Sequence, residues 1–423
     1  MPEMSVSEVM DFIEENDVKF IKLAFCDYFG NQKNISVMPD ELTRVIKNGK
    51  KFDSFRIAGY DDPLSRDLFL KPDLSTMCIL PWRPQEGRVI RFYCDIITAN
   101  GDPCPLDPRI LLKETIKECQ EYNLRPRIGL NSEFYLFRTD EDGNPTNIPW
   151  DKGGYCDIPP LDRSENIRRE ICLTMEEMGI RPETSHHENG PGQNEIDFEE
   201  DTALNSADNF ITYKNVVNAI SARNGIFASF APKPLLDESG NGLHVKLSLF
   251  KDGDNLWDKD AAMAESFTAG VLSRMRDITV FLNTQTESYD RFGLGEAPKY
   301  ITWSVQNGSK LLRIPEVNGK KVGMILRSPD SGINPYLAFS VILKAGMEGI
   351  RRGEKLPEAV DVSSPYISEE EKDNYQQLPL SLFEAKESAR NSKFIFNDDK
   401  LKAIAGKFLD ILPHEKGEGI RIG

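Results

Sequence analysis

His186–Glu200, HHENGPGQNEIDFEE, sets two carboxylates, Glu188 and Glu195, on either side of a Gly-Pro-Gly turn. In the second arm Gln193, Glu195 and Asp197 alternate with Ile196 and Phe198, the period-two pattern of a strand with one polar and one apolar face. Acidic groups gathered on one strand face repel each other unless a cation neutralises them, and hard divalent cations prefer oxygen ligands. A solvated sheet face is the plain alternative, because antiparallel sheets commonly carry one wet face. We favour a bound divalent cation, and the rest of the chain can be placed around it.

Working outward, RIGLNSEFYLF (127–137) reads as a strand with Asn131, Glu133 and Tyr135 on one face, so a further carboxylate joins the polar side. DRSENIRREICLTMEEMG (162–179) has the spacing of an amphipathic helix, capped by Asp162 or Ser164 and stopped by Gly179. A helix around 210–224 precedes ESGNGLHVKLSLF (238–250), a strand with Leu243, Val245, Leu247 and Leu249 inward and His244, Lys246 and Ser248 on the opposite face. A lone histidine is usually structural. Here the Gly-rich approach and the polar neighbours shift it toward function. Beyond a helix expected over 261–282, Arg291, Arg313 and Arg327 fall near predicted strand ends, and guanidinium forks suit an anionic substrate. INPYLAFSVILKAGMEGI (333–350) predicts a buried helix, and the last sixty or so residues read as charged and peripheral.

Toward the N-terminus, residues 5–15 predict a helix with a Ser start, and VKFIKLAFCDYFGNQKNISV (18–37) a hairpin broken at Gly30-Asn31. FDSFRIAGY (52–60) predicts a loop holding Asp53 and Arg56. Further strands follow in DLFLKPDLSTMCILPW (67–82) and RVIRFYCDIITANGDPCPLDPR (88–109), and a long helix at 110–122. Turn residues clustered at 103–108 place a boundary between units 1–105 and 106–423. The 423 residues suffice for such a two-unit chain with a real core, and the net charge of −16 argues against nucleic-acid or anionic-membrane partners. With no apolar run of membrane-spanning length, no signal-like N-terminus and seven scattered cysteines without CxxC, a cytoplasmic, thiol-reduced protein is expected.

Eight blocks in this order resemble the bacterial glutamine synthetase family over essentially the whole chain: VKFIKLAFCDYFGN, KPDLSTMCILPW, DRSENIRREI, HHENGPGQNEIDF, GLHVKLSL, LRIP, RSPDSGINPYLAF and LPLSLFEA. The resemblance implies an α+β fold, with an N-terminal β-grasp domain before a large catalytic domain on a curved antiparallel sheet. It implies a homo-oligomeric ring, usually a dodecamer, with active sites between neighbouring subunits. It also implies Mg²⁺ or Mn²⁺, ATP, and ligation of a carboxylate to ammonia or an amine through an acyl phosphate.

Carried over by position, Glu133, Glu188 and Glu195 form a first metal site. The second keeps His244 but has Asn131 and Ile325 where the family has glutamates. Asp53 matches an aspartate that helps deprotonate ammonium from across a subunit interface, and Glu296 a flap glutamate that closes the site. Arg291, Arg313 and Arg327 match arginines for substrate carboxylate and phosphate, Gly240 a substrate-binding position, and Glu183 and Ser248 nucleotide-side positions. Gly308 stands in place of a phosphate-stabilising arginine, Ser239 in place of an asparagine, and Lys246 in place of a second histidine.

Phosphoryl transfer depends on positioning and charge neutralisation, so these departures weigh against ordinary glutamine synthesis. Lys246 offers partial replacement of the missing charge. Three activities follow: an ATP-dependent carboxylate–amine ligase with altered phosphate handling, a one-metal amide hydrolase or transferase without ATP, and a non-catalytic metabolite-binding homologue. The first is the one we expect.

Overall fold

The computed structural model describes residues 4–61, 67–360 and 374–413. α1 (Val6–Glu15) begins at Ser5, whose hydroxyl accepts from the Glu8 N–H while the Glu8 carboxylate accepts from the Ser5 N–H, a reciprocal capping box. β1 (Val18–Cys26) and β2 (Gln32–Val37) are the predicted hairpin. α2 (Leu42–Asn48), β3 (Lys50–Asp53), β4 (Asp67–Pro72), β5 (Cys78–Ile79) and β6 (Arg88–Thr98) complete a six-stranded sheet. Its main path runs β2-β1-β6-β4-β3, with β1 and β6 parallel at the centre, a β-grasp unit.

The second unit opens with α3 (Pro108–Glu121), β7 (Leu124–Thr139), β8 (Pro145–Pro149), α4 (Glu165–Glu177), β9 (Pro182–His187) and β10 (Gln193–Thr202). α5 (Ala203–Arg223), β11 (Ile226–Ser229), β12 (Leu243–Lys251), β13 (Asp254–Asn255) and the helices α6 (Leu256–Lys259), α7 (Ala261–Ser273) and α8 (Met275–Leu282) follow. Short strands come next: β14 (Trp303–Ser304), β15 (Leu312–Arg313), β16 (Glu316–Val317), β17 (Lys320–Lys321) and β18 (Met324–Leu326). The described chain ends in α9 (Pro335–Arg352), α10 (Leu382–Arg390), α11 (Lys393–Phe396) and α12 (Asp399–Ile411).

The large sheet runs β14-β15-β18-β12-β7-β10-β9, antiparallel except for β14 beside β15, with β8 and β11 on the far end of β7. Its curl is carried by β7, whose sixteen residues exchange β12 and β10 for β11 and β8 along their length. Alternation decides which face is dry. Leu243, Val245, Leu247 and Leu249 of β12 and Ile196 and Phe198 of β10 are buried, and the Phe198 and Phe134 rings meet Tyr213 of α5. The carboxylates and His244 are left on the opposite, concave face.

Several boundaries differ from expectation. The helix expected over 261–282 breaks at Arg274, whose guanidinium pairs with Glu348 of α9 and lies over Phe394. α5 starts at Ala203, seven residues before the expected 210. α4 takes Ser164 as its N-cap, but the hydroxyl donates to Asp151 instead of capping, while Asp162 binds Arg168. Arg291 ends a 3₁₀ turn, not a strand. The C-terminal stretch is not peripheral: Leu401, Ile404, Phe408 and Leu409 of α12 are buried, and Phe408 packs against Phe29 and Phe281. On α12 the charged Asp399, Lys400, Lys402 and Asp410 lie on the exposed outer face of an amphipathic helix. The parts of that stretch at 361–373 and 414–423 lie outside the described residues.

Arg109, buried in the first turn of α3, joins the two units. It donates to both Asp208 oxygens (3.1 and 2.8 Å) on α5, to Asp73 (3.0 Å) and to Asp95 on β6. Burial pushes the Asp73 carboxyl up, but Arg109 and Lys113 outweigh it and hold the group well below the usual range. Removing one partner from a buried ionic cluster leaves uncompensated charge and costs about 3–5 kcal/mol. Arg109→Met should lower unfolding stability in urea by that amount. A loss under about 1 kcal/mol, the scale of an exposed pair, would show that the cluster does not hold the units together.

Candidate functional site

Strand register assembles the acidic half of the concave face. Glu195 of β10 lies opposite Glu133 of β7 and beside His186 of β9, and Asp197 opposite Asn131. The tight turn at 190–192 returns the chain so that Glu188, just past β9, faces the same pocket. Glu133 Oε2 accepts from the Gly242 N–H (2.9 Å) and from Gln193 Nε2 (3.0 Å). His186 Nε2 is 3.0 Å from Glu188 Oε1 and 3.9 Å from Glu195 Oε1.

Burial, opposed by the Gly242 N–H and reinforced by Glu188, pushes Glu133 up to about 7. Burial also raises Glu195, with Asp197, Glu133 and Glu188 adding to it. Carboxylates in this state bind protons or a cation. Ligand atoms of His186, Glu188 and Glu195 all lie within 4.8 Å of one another. With Glu133 alongside, this donor set fits a hard divalent ion. His186 had no assigned role from sequence; its place opposite Glu195 is set by the register between β9 and β10.

A second acid–histidine group, Asp151, Asp162 and His187, is buried but already satisfied. His187 donates from Nε2 to Asp151 Oδ1 (2.8 Å) and from Nδ1 to the Glu188 carbonyl (2.7 Å). Burial pulls its pKa down, yet these two hydrogen bonds outweigh that and hold it above the usual range. Asp151 also accepts from Gly192, Arg163 and Ser164, so the cluster fastens the Gly-Pro-Gly turn behind Glu188. Both ring nitrogens of His187 are thereby engaged, and the cluster serves as a structural latch.

The other half of the face is basic. A methyl group on Gly242 would lie 3.2 Å from Arg291 Nη2, 3.5 Å from Glu133 Oε1 and 3.6 Å from His244 Nε2, so these groups converge there. Gly240 packs so closely that a Cβ would sit 2.6 Å from both Arg291 Cγ and the Pro232 carbonyl. Arg291 is held by the Ser328 and Pro329 carbonyls and by Asp330. Burial lowers the His244 pKa, and Arg327, Arg291 and Lys246 lower it further, so the imidazole is neutral.

Arg327, just beyond β18, donates to the exposed Glu296 (2.9 Å). Gly308 lies against this pair, with space where a side chain would start. Arg313 is in register with Ile325, and Lys246 reaches Glu183 (3.0 Å). Ser248 donates to Glu200 (2.7 Å), at the edge of the face. Asp53 stands apart at the end of β3 in the small unit, exposed and paired with Arg56.

The concave face of the curved sheet thus sets a group of carboxylates able to take a cation beside Arg291 and Arg327. Family models for "Glutamine synthetase, beta-Grasp domain" and "Glutamine synthetase, catalytic domain" match residues 17–99 and 105–411. The glutamine synthetase of Methanosarcina mazei is 41% identical over 397 residues, covering 92% of this chain and 89% of its own. That of Clostridium saccharobutylicum is 39% identical over 394 residues, covering 91% and 89%. Among solved structures, a GmaS/ADP complex superposes with a TM-score of 0.86 at 27% identity, covering 95% of this chain and 94% of its own. Plasmodium falciparum glutamine synthetase shares the fold, with a TM-score of 0.84 at 22% identity and coverage of 96% and 95%. The chain belongs to the glutamine synthetase family.

The raised carboxyls give a pH dependence. Glu133 titrates near 4.5 when unfolded and near 7 when folded, so the metal-free fold loses stability as pH rises between these values. A cation that replaces the proton should recover the loss. The rise in Tm on adding Mn²⁺ should therefore be larger at pH 8 than at pH 6. An equal rise at both would mean that these carboxylates are not the ligands.

Proposed function

We propose that the protein is a cytoplasmic ATP-dependent ligase that joins a glutamate-type carboxylate to ammonia or a small amine. One observation carries this: Arg291, Glu133 and His244 converge at Gly242, beside the Arg327–Glu296 pair. That convergence supplies a cation pocket, a carboxylate fork and a flap carboxylate within one concave face. The names borne by the family relatives favour a ligase over a hydrolase or a binding protein.

Glu133, Glu188 and Glu195, with His186 behind them, would hold Mg²⁺ or Mn²⁺, which supplies charge neutralisation for phosphoryl transfer. Arg291 would orient the substrate carboxylate by its fork, with Gly240 giving close backbone approach, and Arg313 and Arg327 would receive the transferring phosphate. Glu183 and Ser248 mark the nucleotide side. A carboxylate oxygen attacks the γ-phosphorus and the bond to ADP breaks; the amine nitrogen then attacks the carbonyl carbon and phosphate leaves. Glu296, once released from Arg327, accepts the proton lost by the amine. We place the domain boundary at 105/106 and assign Asp53 to the site of a neighbouring subunit in a ring, because it lies in the small unit, away from the concave face of its own chain.

The test is phosphate release from ATP with Mg²⁺, glutamate and a panel running from ammonia to small primary amines. Release should require all components, and Arg291→Ala and Asp53→Ala should each lower it by about tenfold or more. Mixing the two variants should restore turnover in hybrid rings. Release with no carboxylate or amine dependence would contradict a ligase, and no recovery on mixing would remove Asp53 from the neighbour's site.

A further inference from the structure

We propose that Lys246 occupies the place of a second divalent ion, so that this enzyme works with one divalent ion per subunit and one built-in ammonium. This rests on the ligase reading above for its nucleotide, but not for its ion count. Lys246 is flanked in register by Gly129 of β7 and Ile325 of β18. Glu200 packs over Gly129, and beyond it the Lys246 ammonium reaches across the concave face to Glu183, to which it donates at 3.0 Å. Lys246 and Glu183 stem from strands separated by β7 and β10, so the pair bridges the middle of the face.

The residues around it do not fit a second divalent ion. Of the three positions that would ligate one, Ile325 offers no donor, Asn131 one amide oxygen and His244 one imidazole nitrogen. A hard cation wants several oxygens, preferably charged. Asn131 Oδ1 is buried and accepts no hydrogen bond, flanked in register by His244 and Asp197. The local charge differs as well, because Arg327, Arg291 and Lys246 all act on the His244 ring. Beside Glu188, Glu195 and Asp197 a divalent ion relieves repulsion; beside His244 it would meet three cations, each already paired with one carboxylate. Lysine supplies a compact charge of the kind that binds phosphate, with three donors and no open coordination positions. With Arg313 in register on the far side of Ile325, it makes a basic row for a polyphosphate.

Mn²⁺ binding to the full-length protein, followed by electron paramagnetic resonance, counts the ions without any turnover. Wild type should bind one Mn²⁺ per subunit, with or without ADP, and Asn131→Glu/Lys246→His/Ile325→Glu should gain a second. Two ions in wild type, one of them lost in His244→Ala, would overturn the proposal. Calorimetry with ADP at saturating Mn²⁺ tests the role of the charge. Lys246→Gln should weaken ADP by about tenfold or more, the scale of a charge-assisted hydrogen bond, while Lys246→Arg stays near wild type and both still bind one Mn²⁺. Unchanged ADP affinity in Lys246→Gln would also overturn it. A wild type that holds one Mn²⁺ but binds no ADP would refute the ligase reading while upholding the ion count.

Discussion

Like charges held close together in a low-dielectric pocket are the constraint on which the structure turns. Sheet register sets Glu195 opposite Glu133, Glu188 adds its charge to both, and burial raises both Glu133 and Glu195. Such a group is costly unless protonated or bound to a cation. The surrounding fold holds it in place. Gln193 and Gly242 fix Glu133, and the His187–Asp151 latch fixes the turn behind Glu188. The helix-covered face of the sheet supplies the apolar burial that such an arrangement must draw on.

Much of this was legible in the sequence because strand periodicity is local. The alternation in Gln193–Phe198 and in Leu243–Leu249 assigned the polar and apolar faces correctly, and with them the residues that share the concave surface. What periodicity cannot give is register between strands. The pairing of His186 with Glu195 and of Lys246 with Gly129 depends on how distant segments align. For the same reason the Arg109 cluster, which draws on Asp73, Asp95 and Asp208 from separate segments, left no sequence signal. In the C-terminal helix the high charge content masks the spacing of Leu401, Ile404, Ala405 and Phe408, which forms a buried stripe.

The concave face is divided by the sign of its charge. One half carries carboxylates around His186, the other carries Lys246, Arg291 and Arg327 near a neutral His244, and Glu133 lies between them. A family fold constrains the sheet and its funnel but leaves the charges lining it free to change. Asn131 and Ile325 stand where the resemblance implies carboxylates, and Lys246 lies in register beside Ile325. Neither side chain offers a charged oxygen to a divalent ion, whereas the lysine carries one positive charge.

Anomalous diffraction from crystals soaked in Mn²⁺ tests this division most directly. The account predicts a single strong peak among Glu133, Glu188 and Glu195. A peak of equal strength beside His244, or none among the three glutamates, would contradict it.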